Sequence, residues 1–219
     1  MPRPGSTRGN TLGGEKGRTD SQGETPKGLD HDPPAKRKWT PLGILMLASG
    51  ALTLIFCQRE TSDSWVDGLS LWWESVKGQL GRVKRLVIYL DNGPKNAGNR
   101  TQWLKRMIAF ADRIGLEIRL VYYPAYHSKY NPIEHCWGVL ERKWGGALLV
   151  SLKVIMREAL RMTWRGRTPV VKRLHGEYPD GVRLTRAQMK PYEERLKRSQ
   201  TLPKYDITIA PLQPVRQVS

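Results

Sequence analysis

The sequence predicts an α/β fold, and three features predict it. Apolar runs of strand length fall at 44–48, 52–56 and 86–90 and a further strand is read over 117–123, apolar stripes at helical spacing lie between and after them, and Asn, Gly or Pro stands at the joints. At 219 residues, 39% of them hydrophobic, the chain is long enough for one domain with a core of moderate size.

The elements follow in order. Residues 1–38 offer only Met1, Leu12 and Leu29 as large apolar side chains before Trp39, set among Gly, Pro, Ser, Thr and mixed charges, so a disordered or irregular segment is expected there. Residues 41–57 are strongly apolar and follow Lys36, Arg37 and Lys38, which raises a membrane anchor. The run is shorter than the ~20 residues of a span and is broken by Ser49-Gly50, so it reads instead as two strands, 44–48 and 52–56, joined by a Ser-Gly turn. No membrane partner is expected.

A helix is expected over 62–80, capped by Thr61 or Ser62, with Trp65, Leu69, Trp72, Val76 and Leu80 on one stripe; these tryptophans read as core residues. The next strand, 86–90, is β-branched and aromatic in the manner of a buried strand and ends at Asp91. Asn92 and Gly93 break it, and a polar loop, 94–98, leads to a helix over 100–114 that turns Leu104, Met107, Ile108 and Ala111 inward and stops at Gly115. Strand 117–123 ends at Pro124. After the turn 125–130, Asn131 is a favoured N-cap and Pro132 a favoured first helical residue, which places Glu134 in the first turn of a helix striped by Ile133, Trp137, Leu140 and Trp144. A further helix is expected over 151–164, a basic helix-like stretch over 185–199, and a frayed tail over 211–219.

Charge points to a nucleic-acid partner. There are 37 Lys+Arg against 20 Asp+Glu, a net +17, and a basic surface binds phosphates by releasing their counterions. Residues 142–219 hold 17 basic and 6 acidic side chains, whereas residues 39–141 hold 12 and 9, so the excess lies mostly in the C-terminal part. Cys57 and Cys136 are isolated, and neither a structural zinc site nor a disulfide framework is expected.

Asp91 and Glu134 come from neighbouring elements of one sheet. A carboxylate at the carboxyl end of a strand stands where open α/β sheets place ligands, and two facing carboxylates can hold Mg²⁺ or Mn²⁺. Each has a plainer reading. Asn131-x-x-Glu134 matches a capping box, in which Glu134 satisfies a backbone N–H, and Asp91 before Asn-Gly is a common turn former.

Two segments, Leu90-Asp91-Asn92-Gly93 and Pro124-Ala125-Tyr126-His127-Ser128-Lys129-Tyr130-Asn131-Pro132-Ile133-Glu134-His135, together resemble the DDE transposases of bacterial insertion sequences, specifically the branch related to mariner-like elements. The second segment is long and quite specific, and the resemblance runs from about residue 29 to about residue 211. It implies a ribonuclease-H-like mixed sheet flanked by helices and DNA strand cleavage and transfer by two-metal phosphoryl transfer. It implies Asp91 and Glu134 as catalytic and metal-binding residues, Mg²⁺ or Mn²⁺ as cofactor, DNA as partner with possible homo-oligomers on it, and a bacterial cytoplasmic, nucleoid-associated location. His127, Ser128 and Lys129 precede Glu134 and are candidates for phosphate contact, Lys129 above all because a point charge suits a phosphate. Arg165 and Arg167 are further DNA-binding candidates. The resulting division is an N-terminal segment 1–38, a core 39–165 and a basic extension 166–219.

The chain departs from the resembled pattern at its start. Three antiparallel strands precede the first helix in a ribonuclease-H-like fold, the first bearing the first catalytic Asp, whereas here the order is hairpin, helix, strand, helix, strand, helix. Asp20 lies in a polar stretch, and Asp30 and Asp32 lie on no apolar run, with Pro33-Pro34 directly after. The family's N-terminal helical DNA-binding region is also not recognisable. The expectation is therefore a truncated and, alone, inactive transposase remnant. The alternative is a non-catalytic basic nucleic-acid-binding protein in which Asp91 and Glu134 are structural.

Overall fold

Strand β2, Leu52–Cys57, divides the interior in two. Every one of its six residues is buried, but successive side chains point to opposite faces: Ile55 and Cys57 join one apolar cluster, while Leu52, Leu54 and Phe56 join another. That double burial explains why the run is continuously apolar rather than alternating. Strand β1, Thr40–Leu45, pairs antiparallel with β2 in a register from Thr40↔Cys57 to Leu45↔Leu52, and the chain reverses through Gly50 at φ 70°. The hairpin expected from the sequence is present, with its first strand starting four residues earlier than the run 44–48 indicated.

The computed structural model describes residues 38–124, 127, 130–145 and 151–212, which all fall in the unit Arg37–Ser219. The expectation of an irregular segment over 1–38 lies, save for Lys38, outside the described residues. Helix α1, Ser62–Val76, is capped by Thr61, whose hydroxyl accepts the Ser64 N–H while Ser64 Oγ accepts the Thr61 N–H, and a 3₁₀ turn over Lys77–Gln79 ends it short of Leu80. Leu69 and Trp72 are buried as expected, Trp65 is partly buried against the same cluster, and Trp73, outside the expected stripe, is buried too. Strand β3, Arg85–Leu90, leads to helix α2, Thr101–Ile114, which buries Trp103, Leu104, Met107, Ile108, Phe110 and Ala111 and ends at Gly115 in the left-handed conformation. Strand β4, Glu117–Tyr122, runs parallel to β3 from Arg85↔Glu117 to Leu90↔Tyr122, the βαβ unit read from the sequence.

Helix α3, Pro132–Trp144, and helix α4, Leu152–Leu160, cover the other face of the β1–β2 hairpin, where Cys136, Leu140, Ile155 and Ala159 meet Leu54 and Phe56. The remaining chain completes both sheets. Strand β5, Val170–Arg173, adds parallel to β2, helix α5, Arg186–Glu193, packs on α2, and strands β6, Leu196–Arg198, and β7, Asp206–Ile209, extend the β3–β4 pair. None of these three strands was expected. Their runs are three or four residues long, and two of the three residues of β6 are cationic, so their periodicity gives no strand signal.

The fold is α/β, two mixed sheets flanked by five α-helices among the described residues, and it is consistent with a ribonuclease-H-like architecture. The strand orders are β1-β2-β5 and β3-β4-β7-β6, so β1 and β3 are both edge strands and no ladder joins them. This corrects the reading of β3 as a buried strand: Val87 is 39% and Tyr89 47% exposed. The composition of β3 suits burial on both faces, but β4 pairs with only one of its edges.

Candidate metal centre at the end of β3

Asp91 stands one residue past β3, and the loop after it is shaped around its carboxylate. Asn92 takes φ 60°, a left-handed conformation that Asn tolerates better than most side chains. The chain thereby doubles back, and Asp91 Oδ1 accepts the Gly93 N–H at 3.2 Å and Asn96 Nδ2 at 3.3 Å. The first of these bonds is the turn-forming role weighed for Asp91 from sequence, and it occupies only one oxygen. Oδ2 has no hydrogen-bond donor among the described residues. A β-carbon on Gly93 would lie 3.3 Å from both Asp91 oxygens and from Asn96 Oδ1, so the tight approach suits a residue without one.

The loop is tied down at two further points. Ser62 Oγ donates to the Lys95 carbonyl at 2.6 Å, fastening the loop to the start of α1, and Lys95 Nζ pairs with Asp180 at 2.6 Å. Asn96 is 5% exposed, and its Oδ1 has no hydrogen-bond partner. The sequence reading passed over Asn96 as one polar residue of a loop. A buried Asn cannot be told from a turn Asn by spacing alone, so no sequence signal was available.

Glu134 reaches the same place from α3. Asn131 is the N-cap and Pro132 opens the helix, as expected, but Asn131 makes no side-chain capping bond, and the Glu134 side chain does not return to the N-cap. The capping-box reading of Glu134 therefore does not hold: the carboxylate is not engaged by the backbone. Desolvation raises its pKa first, followed by the negative charges of Asp91 and Glu141, while His135 pulls it down. The residue as a whole is exposed, so the dehydration acts on a head group at a cleft mouth rather than on a buried one. Asp91 is near enough for its charge to be felt at Glu134. Both line one cleft of about 600 Å³, together with Asn96 and Asn131.

An all-oxygen set of two carboxylates and a buried, unpartnered amide oxygen fits a hard divalent cation such as Mg²⁺ or Mn²⁺ better than zinc, which favours nitrogen and sulfur. Among the described residues no cluster of three or more His, Cys, Asp or Glu side chains stands ready to hold a metal. Cys136 is buried under α3 with its thiol pushed up to about 11 by burial, and Cys57 lies in the other cluster.

Of the other candidates, none among the described residues lines the cleft. His127 is exposed, with its ring stacked on Tyr130 at 5.9 Å. Ser128 and Lys129 lie outside the described residues. His135 is exposed, because the buried face of α3 passes through Cys136 and Leu140. Arg165 and Arg167 are exposed on a tight turn in which Trp164 and Arg167 exchange backbone hydrogen bonds and both central residues, Arg165 and Gly166, have positive φ. Neither arginine lines the cleft.

The architecture, two mixed sheets flanked by helices, is consistent with a ribonuclease-H-like α/β domain. A family model described as Rhodopirellula transposase DDE domain matches residues 11–211, and the chain belongs to this DDE transposase family. No curated protein and no solved structure matches the chain.

Proposed function

We propose that the chain is the catalytic part of a bacterial insertion-sequence transposase of the mariner-related branch, and that by itself it does not catalyse strand transfer. The observation that supports this reading is the convergence of Asp91 and Glu134 on one cleft beside the buried Asn96. In this reading Asp91 and Glu134 hold Mg²⁺ or Mn²⁺, with Asn96 and the Gly93 N–H fixing the Asp91 carboxylate. A divalent ion bound there supplies Lewis-acid activation for in-line displacement at a DNA phosphate. Two carboxylates serve two ions poorly, since a shared third carboxylate is what lets each ion keep both a protein ligand set and a reacting oxygen. That shortfall is the reason for inactivity of the described residues alone.

DNA is the partner that the net charge of +17 favours, and in this reading Arg165, Arg167, His127, Ser128 and Lys129 contact its backbone. Assembly into homo-oligomers on DNA and a location at the nucleoid accompany this reading. No helix among the described residues is long and apolar enough to cross a membrane, and residues 41–57 form the β1–β2 hairpin instead.

Mn²⁺ binding, followed by the loss of its free-ion electron paramagnetic resonance signal, tests the site. Asp91→Asn and Glu134→Gln are each expected to weaken binding at least tenfold with the fold intact by circular dichroism. Unchanged Mn²⁺ affinity in both variants would favour a basic DNA-binding protein in which these residues are structural.

A further inference from the structure

Residues 91–100 join β3 to α2, and their hydrogen bonds to one another are few. Besides the two bonds to Asp91, the Asn96 N–H donates to the Gly93 carbonyl at 3.3 Å and the Arg100 N–H to the Ala97 carbonyl at 2.9 Å. A loop so sparsely bonded within itself keeps one shape only where other elements hold it, because its own contacts do not offset the entropy of ordering it. One tie comes from Ser62 of α1, and three more come from the chain after β5. Lys95 Nζ pairs with Asp180 at 2.6 Å, and Asp180 also accepts the Gly181 N–H at 2.9 Å. The Gly98 carbonyl accepts Arg198 Nη1 of β6 at 3.1 Å, and a β-carbon on Gly98 would lie 3.1 Å from both Ile207 Cδ1 and the Lys204 carbonyl oxygen. The Thr101 hydroxyl accepts the Leu184 N–H at 2.9 Å.

We infer that the C-terminal chain over 180–207 is a positioning clamp for the Asp91 loop, with Arg198 and Lys95 as its positioning residues. Neither side chain lines the cleft that Asp91 and Glu134 share. They act on it through Asn96, which lies between the grips at Lys95 and Gly98 and whose amide aims the Asp91 carboxylate. Arg198 is itself held, since Nε donates to Glu193 at 2.7 Å and Nη1 also reaches the Pro203 carbonyl at 3.4 Å. A guanidinium fixed at three acceptors sets the place of a backbone carbonyl more firmly than a mobile chain could.

Charge gives the clamp a signature of its own. Lys95 and Arg198 are cations, and simple electrostatics makes the loss of a positive charge strengthen the binding of a metal cation nearby. A positioning role has the opposite sign: without the grip the Asp91 carboxylate loses its aim, and the metal is held less well. The effect on a metal rests on the function proposed above; the effect on the loop does not.

The test uses the full chain with Arg198→Met or Lys95→Met, which keep an apolar stem and remove the donor. Each is expected to weaken Mn²⁺ binding about threefold to tenfold, less than the loss of a group that bonds the carboxylate itself, and to speed amide exchange over 93–98 while leaving exchange over 104–111 of α2 unchanged. Arg198→Lys, which still carries a donor for the Gly98 carbonyl, is expected to recover part of the affinity. Lys197→Met removes a cation from the exposed side of the same strand and sets the electrostatic baseline, with Mn²⁺ affinity unchanged or slightly tighter. Unchanged or tighter Mn²⁺ binding in both methionine variants overturns the positioning role, and unchanged exchange over 93–98 overturns the clamp. Lys95 has 31% of its side chain exposed, so its variant decides the matter if Arg198→Met does not fold. Should Asp91→Asn leave Mn²⁺ affinity unchanged, the metal reading fails on its own, and amide exchange alone decides the clamp.

Discussion

Gly43 of β1 and Trp137 of α3 lie so close that a β-carbon on Gly43 would come within 2.6 Å of Trp137 Cη2, with Ile133 Cδ1 at 3.2 Å. The helix that carries Glu134 is thus seated directly on the edge strand of the first sheet, and its seating depends on the missing side chain of Gly43. Gly43→Ala is expected to destabilise the fold by ~1–3 kcal/mol through overpacking, measured by urea denaturation. Trp137→Phe, which removes the clashing ring atoms, is expected to recover part of that loss in the double variant, and simple additivity would show that the contact is not the cause.

Asn96 holds the Asp91 carboxylate through a 3.3 Å bond from Nδ2, and it is itself nearly inaccessible. Residues that orient a metal-binding carboxylate typically contribute a factor of ~10–100 to metal affinity. Asn96→Ala is therefore expected to weaken Mn²⁺ binding by about that factor at little more than ~1 kcal/mol of stability. A variant that loses stability without losing Mn²⁺ affinity would make Asn96 a loop anchor only.

Glu134 has its pKa raised by desolvation and by Asp91, so its ionised form is disfavoured in the folded state. The sign follows from linkage: the penalty is fully present above the raised folded pKa and vanishes as pH falls below the unfolded value near ~4.3. Glu134→Gln is expected to raise the melting temperature at pH 7, by an amount worth less than ~1 kcal/mol because the residue is exposed and screened, and to leave it unchanged at pH 3. A melting-temperature series over pH 3–8 reads both ends. Mn²⁺ competes with the same proton, so its binding should weaken at a higher pH than for an ordinary glutamate.

Much of the fold was legible because its longest elements carry unambiguous periods. Helix α2 shows Leu104, Met107, Ile108 and Ala111 on one stripe, β3 has five apolar residues in succession before Asp91, and β4 alternates charged and apolar residues at its start before Pro124 ends the run. Asp91 and Glu134 were legible for a related reason: strand ends and helix starts have local signals. What the sequence hid depends on pairing over long distance. Residues 206–209 become β7 only because Ile207 and Ile209 find β4, and β3 reads as buried although no strand among the described residues pairs with its outer edge. Asn96 was hidden because burial of a loop amide is a tertiary fact.

The C-terminal strands are locked to α2 by a two-pronged ion pair. Arg195 donates to both Asp112 oxygens at 2.7 and 2.6 Å and to the Ala210 carbonyl at 3.0 Å, while the Leu212 N–H also donates to Asp112. The Arg195 guanidinium is the first cause that holds the Asp112 carboxyl below its usual range. A depressed folded pKa stabilises above the unfolded value, ~3.9, and the contribution is lost as pH falls through the folded one. Asp112→Asn is expected to cost ~1–3 kcal/mol at pH 7 and nothing near pH 2, read from urea midpoints at the two pH values.

Arg165 and Arg167 flank Gly166 on an exposed turn that Gly50 of the β1–β2 hairpin supports: a β-carbon there would meet Arg165 Cδ at 3.2 Å. A rigid turn with two projecting guanidinium groups and positive φ at its centre holds charge in place without burying it. If both contact phosphates, each releases about one counterion, and Arg165→Gln with Arg167→Gln should lower the slope of log affinity against log salt by ~2 for duplex DNA of any sequence. Fluorescence anisotropy from 50 to 300 mM salt measures the slope. An unchanged slope with unchanged affinity would place the DNA path elsewhere on the basic C-terminal part, whereas a loss confined to one DNA sequence would mean that these arginines read bases rather than the backbone.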